Sequence, residues 1–259
     1  MKKNKIEFED TTPEDKGWHL SMTSAYATHP GLIRQNNEDF ILTDDELGVY
    51  LLADGMGGHN AGEVASEASV KTAHAYLAER LLSDSDNEIP TLSLEAMNAA
   101  HEAVNMKARN DLSLMGMGST LVEVIIRDSK AFICHAGDSR AYHFRDTLHR
   151  ITRDHTVGDH LLESNFLTRE QIPVKQWHTL TQAVGSGAPP VPDFNQVDLL
   201  SCDILLLCSD GLTDMLRDEE IETVIKEGKS NIDYITKSLI KAANIKGGRD
   251  NISVVLVKI

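Results

Sequence analysis

The 259 residues contain no run approaching the ~20 consecutive apolar side chains of a membrane span. The N-terminus, Met1-Lys2-Lys3-Asn4-Lys5, is basic but is not followed by the apolar core of a secretory signal. A cytoplasmic protein without a membrane partner is therefore expected. Cations are scarce as well: 25 Lys and Arg stand against 40 Asp and Glu, for a formal net charge of −15. That balance argues against nucleic acid as a partner, because phosphate backbones are held by clustered Lys and Arg. A phosphorylated substrate stays open if metal ions supply the local positive charge. Cysteine occurs three times, as Cys134, Cys202 and Cys208, in or near apolar runs and without metal-ligand spacing. This reads as buried free thiols in a reducing compartment. No long low-complexity linker divides the chain. Residues 1–18, polar and containing Pro13, read as a flexible extension, and 19–259 as a single domain.

Against these absences stands Tyr50-Leu51-Leu52-Ala53-Asp54-Gly55-Met56-Gly57-Gly58-His59, an apolar run that ends in an acid and glycines. Such a run reads as a buried strand, and glycine after it lets the backbone come close to whatever the acid holds. The device recurs at Ile204 to Cys208 before Ser209-Asp210-Gly211, at Ala131 to Ala136 before Gly137-Asp138, and at Gly247-Gly248-Arg249-Asp250 before Ile252 to Val257. Each acid alone is an ordinary turn signal. Four of them at the ends of neighbouring strands would gather like charges in one place, which is costly unless they are protonated or neutralised by cations. Oxygen ligands of this kind suit Mg²⁺ or Mn²⁺ better than zinc. The polar cluster Arg34-Gln35-Asn36-Asn37-Glu38-Asp39 reads either as a solvated turn or as an arginine for an oxyanion with two acids near the metals.

Taken in order, a first strand falls within 19–29, helices at about 61–82 and 92–110, and strands at 118–126, 131–136, 141–144 and 148–152. Those last four read as an antiparallel meander. Residues 153–192 loosen into short helical pieces and a glycine- and proline-rich loop, an excursion suited to a flap beside a site. Strands follow at 194–200 and 204–208, helices at 218–227 and 232–243, and a last strand at 252–257. This order fits an α+β fold, a four-layer α-β-β-α sandwich of two mainly antiparallel sheets flanked by helix pairs.

From about His19 to Ile259 these segments resemble the metal-dependent protein phosphatase, or protein phosphatase 2C, family. The resemblance rests on Arg34 to Asp39, Ala53 to His59, Gly118-Ser119-Thr120, Ala136-Gly137-Asp138-Ser139-Arg140, Asp154-His155, Leu180 to Gly185, Cys208 to Leu212 and Gly247 to Ile252. The glycine pattern after Asp54 looks like the compact bacterial branch. The resemblance implies a hydrolase that removes phosphate from phosphoserine and phosphothreonine in proteins, the substrates of a cognate Ser/Thr kinase, using two Mn²⁺ or Mg²⁺ ions. By motif position Asp54 would bridge both metals, the Gly55 carbonyl would bind one, and Asp210 and Asp250 would complete the other. Glu38 and Asp39 would hold metal-bound waters. Asp138, with Asp210 and Asp214 nearby, would carry a third and weaker metal. Arg34 matches the phosphate-binding arginine, and a metal-activated water would attack phosphorus.

Two places depart from the family pattern. Met56 stands where many eukaryotic relatives have the His proposed to protonate the leaving oxygen, so the general acid is open between a metal-bound water and His59. Gln182 stands where bacterial relatives often have Arg. His155 and His178 read as flap or core histidines. The rival readings are a non-catalytic regulator of the same fold, which should lack one of the acids, and another two-metal phosphohydrolase such as a nuclease, which the charge disfavours. A nucleotide cradle is weaker, since the glycines after Asp54 lack the Lys-Ser/Thr ending of a P-loop. A monomer is the default expectation.

Overall fold

Strands that sit between two covered faces must be apolar at every position, and the long runs of this chain have that character for that reason. In β3 (Val49–Met56), Val49, Leu51 and Ala53 face one apolar layer while Tyr50 and Leu52 face another. In β11 (Ile252–Lys258), Ile252, Val254 and Leu256 face a third layer, and Val255 and Val257 share the middle one with Tyr50 and Leu52. Three apolar layers imply four layers of backbone. The computed structural model describes residues 22–57, 61–83, 88–164 and 167–259. The expected extension at 1–18 and His59 lie outside the described residues.

Two antiparallel sheets form the centre. One runs β1 (Thr23–His29), β11, β10 (Ile204–Cys208), β7 (Arg140–Phe144), β8 (Leu148–Arg150). The other runs β2 (Asp39–Asp44), β3, β5 (Leu121–Arg127), β6 (Lys130–Ala136), β9 (Asp193–Asp198), with the two-residue β4 (Gly118–Ser119) paired to the end of β3. Helices α1 (Ala61–Ser83) and α2 (Ile89–Asn110) cover the second sheet through Ala65, Leu77, Ala96, Met97 and Val104. Helices α5 (Asp218–Glu227) and α6 (Ile232–Ile245) cover the first through Ile221, Ile225, Ile235 and Leu239. The α-β-β-α sandwich expected from the element order is the fold.

Several local expectations need correction. The strands from 118 to 152 are not a meander: β5 and β6 belong to one sheet, β7 and β8 to the other. The chain crosses between sheets at Gly137, whose φ of 115° is open only to glycine. The single strand expected at 118–126 is broken at Thr120, which turns its backbone toward Asp54. The helix expected from about 92 starts at Ile89, with Pro90 in its first turn, where a missing N–H costs nothing. A one-turn helix, α4 (Asp210–Thr213), follows β10 and is too short to leave a periodic signal. Cys134 and Cys208 are buried, but Cys202 is exposed in a turn with φ 77°. The 153–192 segment contains α3 (Val157–Glu163), capped by Thr156 Oγ1 accepting from the Asp159 amide at 3.0 Å, and short 3₁₀ turns at Arg169–Gln171 and Val174–His178.

Candidate metal and phosphate site

The ends of β3, β6 and β10 and the start of β11 meet at one edge of the sandwich, so the four strand-end acids converge because the two sheets stack. A cleft of about 450 Å³ is lined there by Arg34, Glu38, Asp54, Gly55, Asp138, Asp210, Asp214 and Asp250, together with Thr120, Asn251, His178 and Leu180. Asp39, also expected near the metals, does not line it. It lies behind Asp54, its register partner across β2 and β3, and is buried.

Backbone contacts hold each acid in place. The Asp54 amide donates to Thr120 Oγ1 (2.8 Å), and its carbonyl accepts from the Thr120 amide (2.9 Å) and Ser119 Oγ (2.9 Å). Ser209 Oγ donates to Asp39 Oδ2 (2.8 Å) and accepts from the Ser253 amide (3.0 Å), locking the residue before Asp210 between both sheets. Asn251 ties the loop before β2 to β11. Its Oδ1 accepts from the Glu38 amide (2.7 Å) and its Nδ2 donates to the carbonyls of Asn36 (2.8 Å) and Pro30 (3.1 Å). The serines and Thr120 are thus positioning hydroxyls.

The electrostatics are those of a carboxylate cluster short of cations. Burial, then the charges of Asp39, Asp210, Asp138 and Asp250, push the Asp54 carboxyl well above its usual range. Burial and then Asp138, Asp214 and Asp250 do the same to Asp210. Burial and Asp154 push Asp138 to about 7, and burial raises Asp39 to about 6 against the opposing Ser209 hydroxyl. Asp39 Oδ1 and Asp210 Oδ1 are buried with no hydrogen-bond partner among the described residues. The cleft lining offers one arginine and no lysine to offset these acids. Arg34 Nη2 donates to Asp250 Oδ2 at 2.7 Å while its side chain stays 54% exposed at the cleft edge. An oxygen-only donor set with orphaned carboxylate oxygens fits hard divalent cations.

Glycine lets α1 approach this set. A Cβ at Gly62, in the first turn of α1, would overlap the Glu38 carboxylate and come within 2.9 Å of the Gly55 carbonyl oxygen. Gly62→Ala is expected to displace Glu38 and weaken Mn²⁺ binding in the cleft about tenfold, about 1.4 kcal/mol, with the fold retained. A Mn²⁺ binding titration beside a circular-dichroism spectrum checks this.

Residues from the 153–192 segment were harder to foresee. His178 and Leu180 enter the cleft from it, and a ligand atom from each of His178, Asp210 and Asp214 lies within 4.8 Å of the others. His178 Nδ1 is 3.7 Å from Asp214 Oδ2. Nothing in the irregular sequence around 174–180 marks which histidine turns inward. His155 does not reach the cleft; it is buried against His135. Gln182 also faces elsewhere, its Oε1 accepting from the Val191 amide at 3.0 Å.

Residues 28–243 match the family model for protein phosphatase 2C. The serine/threonine phosphatase stp of Listeria welshimeri is 34% identical over 244 residues, 92% of this chain and 96% of that protein. The structure of the S. agalactiae serine/threonine phosphatase is similar with a TM-score of 0.83 at 36% identity, covering 92% of this chain and 99% of that one. The catalytic domain of the serine/threonine protein phosphatase PstP, in complex with two manganese ions, is similar with a TM-score of 0.80 at 31% identity, covering 93% and 99% of the two chains.

Proposed function

The chain belongs to the protein phosphatase 2C family, and from that membership we propose how its own residues divide the work of a metal-dependent protein serine/threonine phosphatase. That activity follows from the family and its bacterial relatives. Asp54, the Gly55 carbonyl, Asp210 and Asp250 would hold two cations, Mn²⁺ or Mg²⁺, with Glu38 and Asp39 behind them. Asp138, Asp210 and Asp214 would hold a third, weaker one. When bound, such cations supply positive charge that offsets the carboxylates and makes water nucleophilic near neutral pH.

Arg34 presents a planar fork of donors to the phosphoryl oxygens. That fork rests on Asp250, which keeps it at the cleft edge. His178 is the one histidine among the described residues lining the cleft, and its imidazole would meet a bound phosphoryl group from the flap side. The flap, 153–192, would choose among phosphoserine and phosphothreonine proteins delivered by a cognate kinase. The protein would act as a monomer in the cytoplasm; no helix among the described residues is long and apolar enough to cross a membrane.

The observation that carries this assignment is the convergence of buried carboxylates and one arginine in a single cleft. It leaves the non-catalytic alternative without support, since no acid of the set is missing. Phosphate release from a phosphothreonine peptide should require Mn²⁺ or Mg²⁺ and vanish with chelator. Arg34→Lys, which keeps the charge and loses the fork, should lower kcat/KM about 10- to 100-fold and weaken inhibition by inorganic phosphate. Wild-type kcat/KM in that variant would remove Arg34 from phosphate binding.

A further inference from the structure

Outside the lining of the cleft, the structure joins three groups that the phosphatase reaction does not use. His135 in β6 and Asp193 at the start of β9 are register partners, and His155 stacks on His135 with ring centroids 4.6 Å apart and planes 14° apart. One ligand atom from each of His135, His155 and Asp193 lies within 4.8 Å of the others. Both histidines are buried. We propose that His135, His155 and Asp193 form a second metal site, of a different chemical class, that takes a nitrogen-preferring transition dication such as Zn²⁺ and clasps the base of the 153–192 segment.

The argument starts from His135. Its Nε2 lies 2.7 Å from the Arg153 carbonyl oxygen, which can only accept, so Nε2 carries the proton. Nδ1 is left with a lone pair, and it is buried with no hydrogen-bond partner among the described residues. A ring nitrogen fixed as a ligand by a backbone carbonyl on the other nitrogen is the usual support of a metal-binding histidine. Burial also lowers the pKa of His135, keeping the ring neutral and able to coordinate.

The other two ligands already have workable spacing. His155 Nε2 is 3.4 Å from Asp193 Oδ2. Ligands about 2.0–2.1 Å from a tetrahedral Zn²⁺ stand roughly 3.3 Å apart. At present His155 Nδ1 accepts from the Gly137 amide through a long 3.3 Å contact, which places the His155 proton on Nε2, toward Asp193. The cation would replace that proton, which moves to Nδ1 at the expense of the long contact. A second cavity, of about 460 Å³, lined by Arg153, His155, His160, Gln182 and Asp193 among others, gives entry from solvent and room for a water as fourth ligand. Two imidazoles and one carboxylate select zinc-like ions over Mg²⁺, whereas the cleft sets a single imidazole, His178, beside many carboxylates.

Position gives the site a consequence. His155 lies just after the segment leaves the core and Asp193 just after it returns, while His135 belongs to the sheet. A shared ion would pin both ends to β6 and restrain the segment that carries His178 and Leu180 into the cleft.

The test uses the full chain with saturating Mg²⁺ to fill the oxygen-rich cleft, and Zn²⁺ as the probe, followed by competition with a chromophoric chelator. Wild type should bind one Zn²⁺ at least tenfold more tightly than Asp193→Asn or His155→Gln. Co²⁺ in its place should give visible absorption of tetrahedral intensity that both variants lose. Zn²⁺ should also slow tryptic cleavage after Arg169 and Lys175 in wild type alone. Equal Zn²⁺ stoichiometry and affinity in wild type and variants would overturn the site. Should His155→Gln fail to fold, Asp193→Asn decides alone, since its side chain is 43% exposed on an edge strand.

Discussion

Asp210→Asn is expected to lower kcat/KM on a phosphothreonine peptide by at least about 10³-fold and, in the same protein, to raise the stability of the metal-free form. The loss follows because a neutral amide is a poor ligand for a hard cation, and the charge stabilisation such an ion supplies is several kcal/mol, or about three decades in rate. The gain has the opposite origin. Without cations the Asp210 carboxyl lies among Asp138, Asp214 and Asp250, and burial and those charges raise its pKa well above the ordinary value. Between the unfolded and folded pKa values the folded chain binds more protons than the unfolded one, so stability falls as pH rises through that window. Asn removes the titration. At pH 7.5 in chelator the variant should be more stable by about 1–3 kcal/mol, and its advantage should shrink as pH falls toward 4. Mn²⁺ should raise the melting temperature of wild type and do much less for the variant. Melting curves with Mn²⁺ and with chelator measure both effects. A metal-free variant less stable than wild type at pH 7.5 would mean that the carboxylate makes a structural contact outweighing the repulsion.

The same cluster shows how far the chain could be read before its fold was known. Asp54, Asp138 and Asp210 are legible because each ends an apolar run with an acid beside glycine, and Asp250 because it follows a glycine pair and opens the last apolar run, both local patterns. Their meeting in one cleft is legible only through the alternation of strands and helices that implies a sandwich, and Arg34 through the polar cluster before β2, which reads equally as a solvated turn. Sheet membership was not legible. β6 and β7 are separated by a short turn, as a hairpin would be, yet they lie in different sheets because Gly137 redirects the chain. His178 and Leu180 come from a segment whose course is set by packing, with no period to follow. His135 sits in an apolar run where a core histidine and a ligand have the same sequence appearance. What separates them is a hydrogen bond to the Arg153 carbonyl, which no spacing encodes.

Glu123 is hidden in the same manner within Leu121-Val122-Glu123-Val124-Ile125, and it carries the second large expected effect. Its alternation places it with Leu121 and Ile125 under the α1–α2 pair, where it is 0% exposed. Among the described residues neither carboxyl oxygen is within good hydrogen-bond geometry of a partner, and the Ser93 hydroxyl, though close enough to oppose the burial effect, is unpartnered by the same measure. Burial pushes its pKa up to about 8. The carboxyl is therefore protonated at neutral pH, and the fold is favoured by acid: its full contribution is present below the unfolded value near 4.5 and is lost as pH climbs to about 8. Over that window the linkage amounts to roughly 3–5 kcal/mol at most, at about 1.4 kcal/mol per pH unit. Glu123→Gln keeps the shape of the neutral acid and removes the titration. It should leave stability near pH 4 little changed and raise it at pH 8 by about 2–4 kcal/mol, or roughly 4–16 °C in Tm for a chain of this size. Phosphatase activity under Mn²⁺ should be unaltered, since Glu123 faces the layer under α1 and α2 and does not line the cleft. Urea unfolding at pH 4, 6 and 8 separates this outcome from a packing effect, which would shift all three midpoints together. A parallel shift would place Glu123 in its ionised form inside the core, held by a partner that the static contacts do not contain.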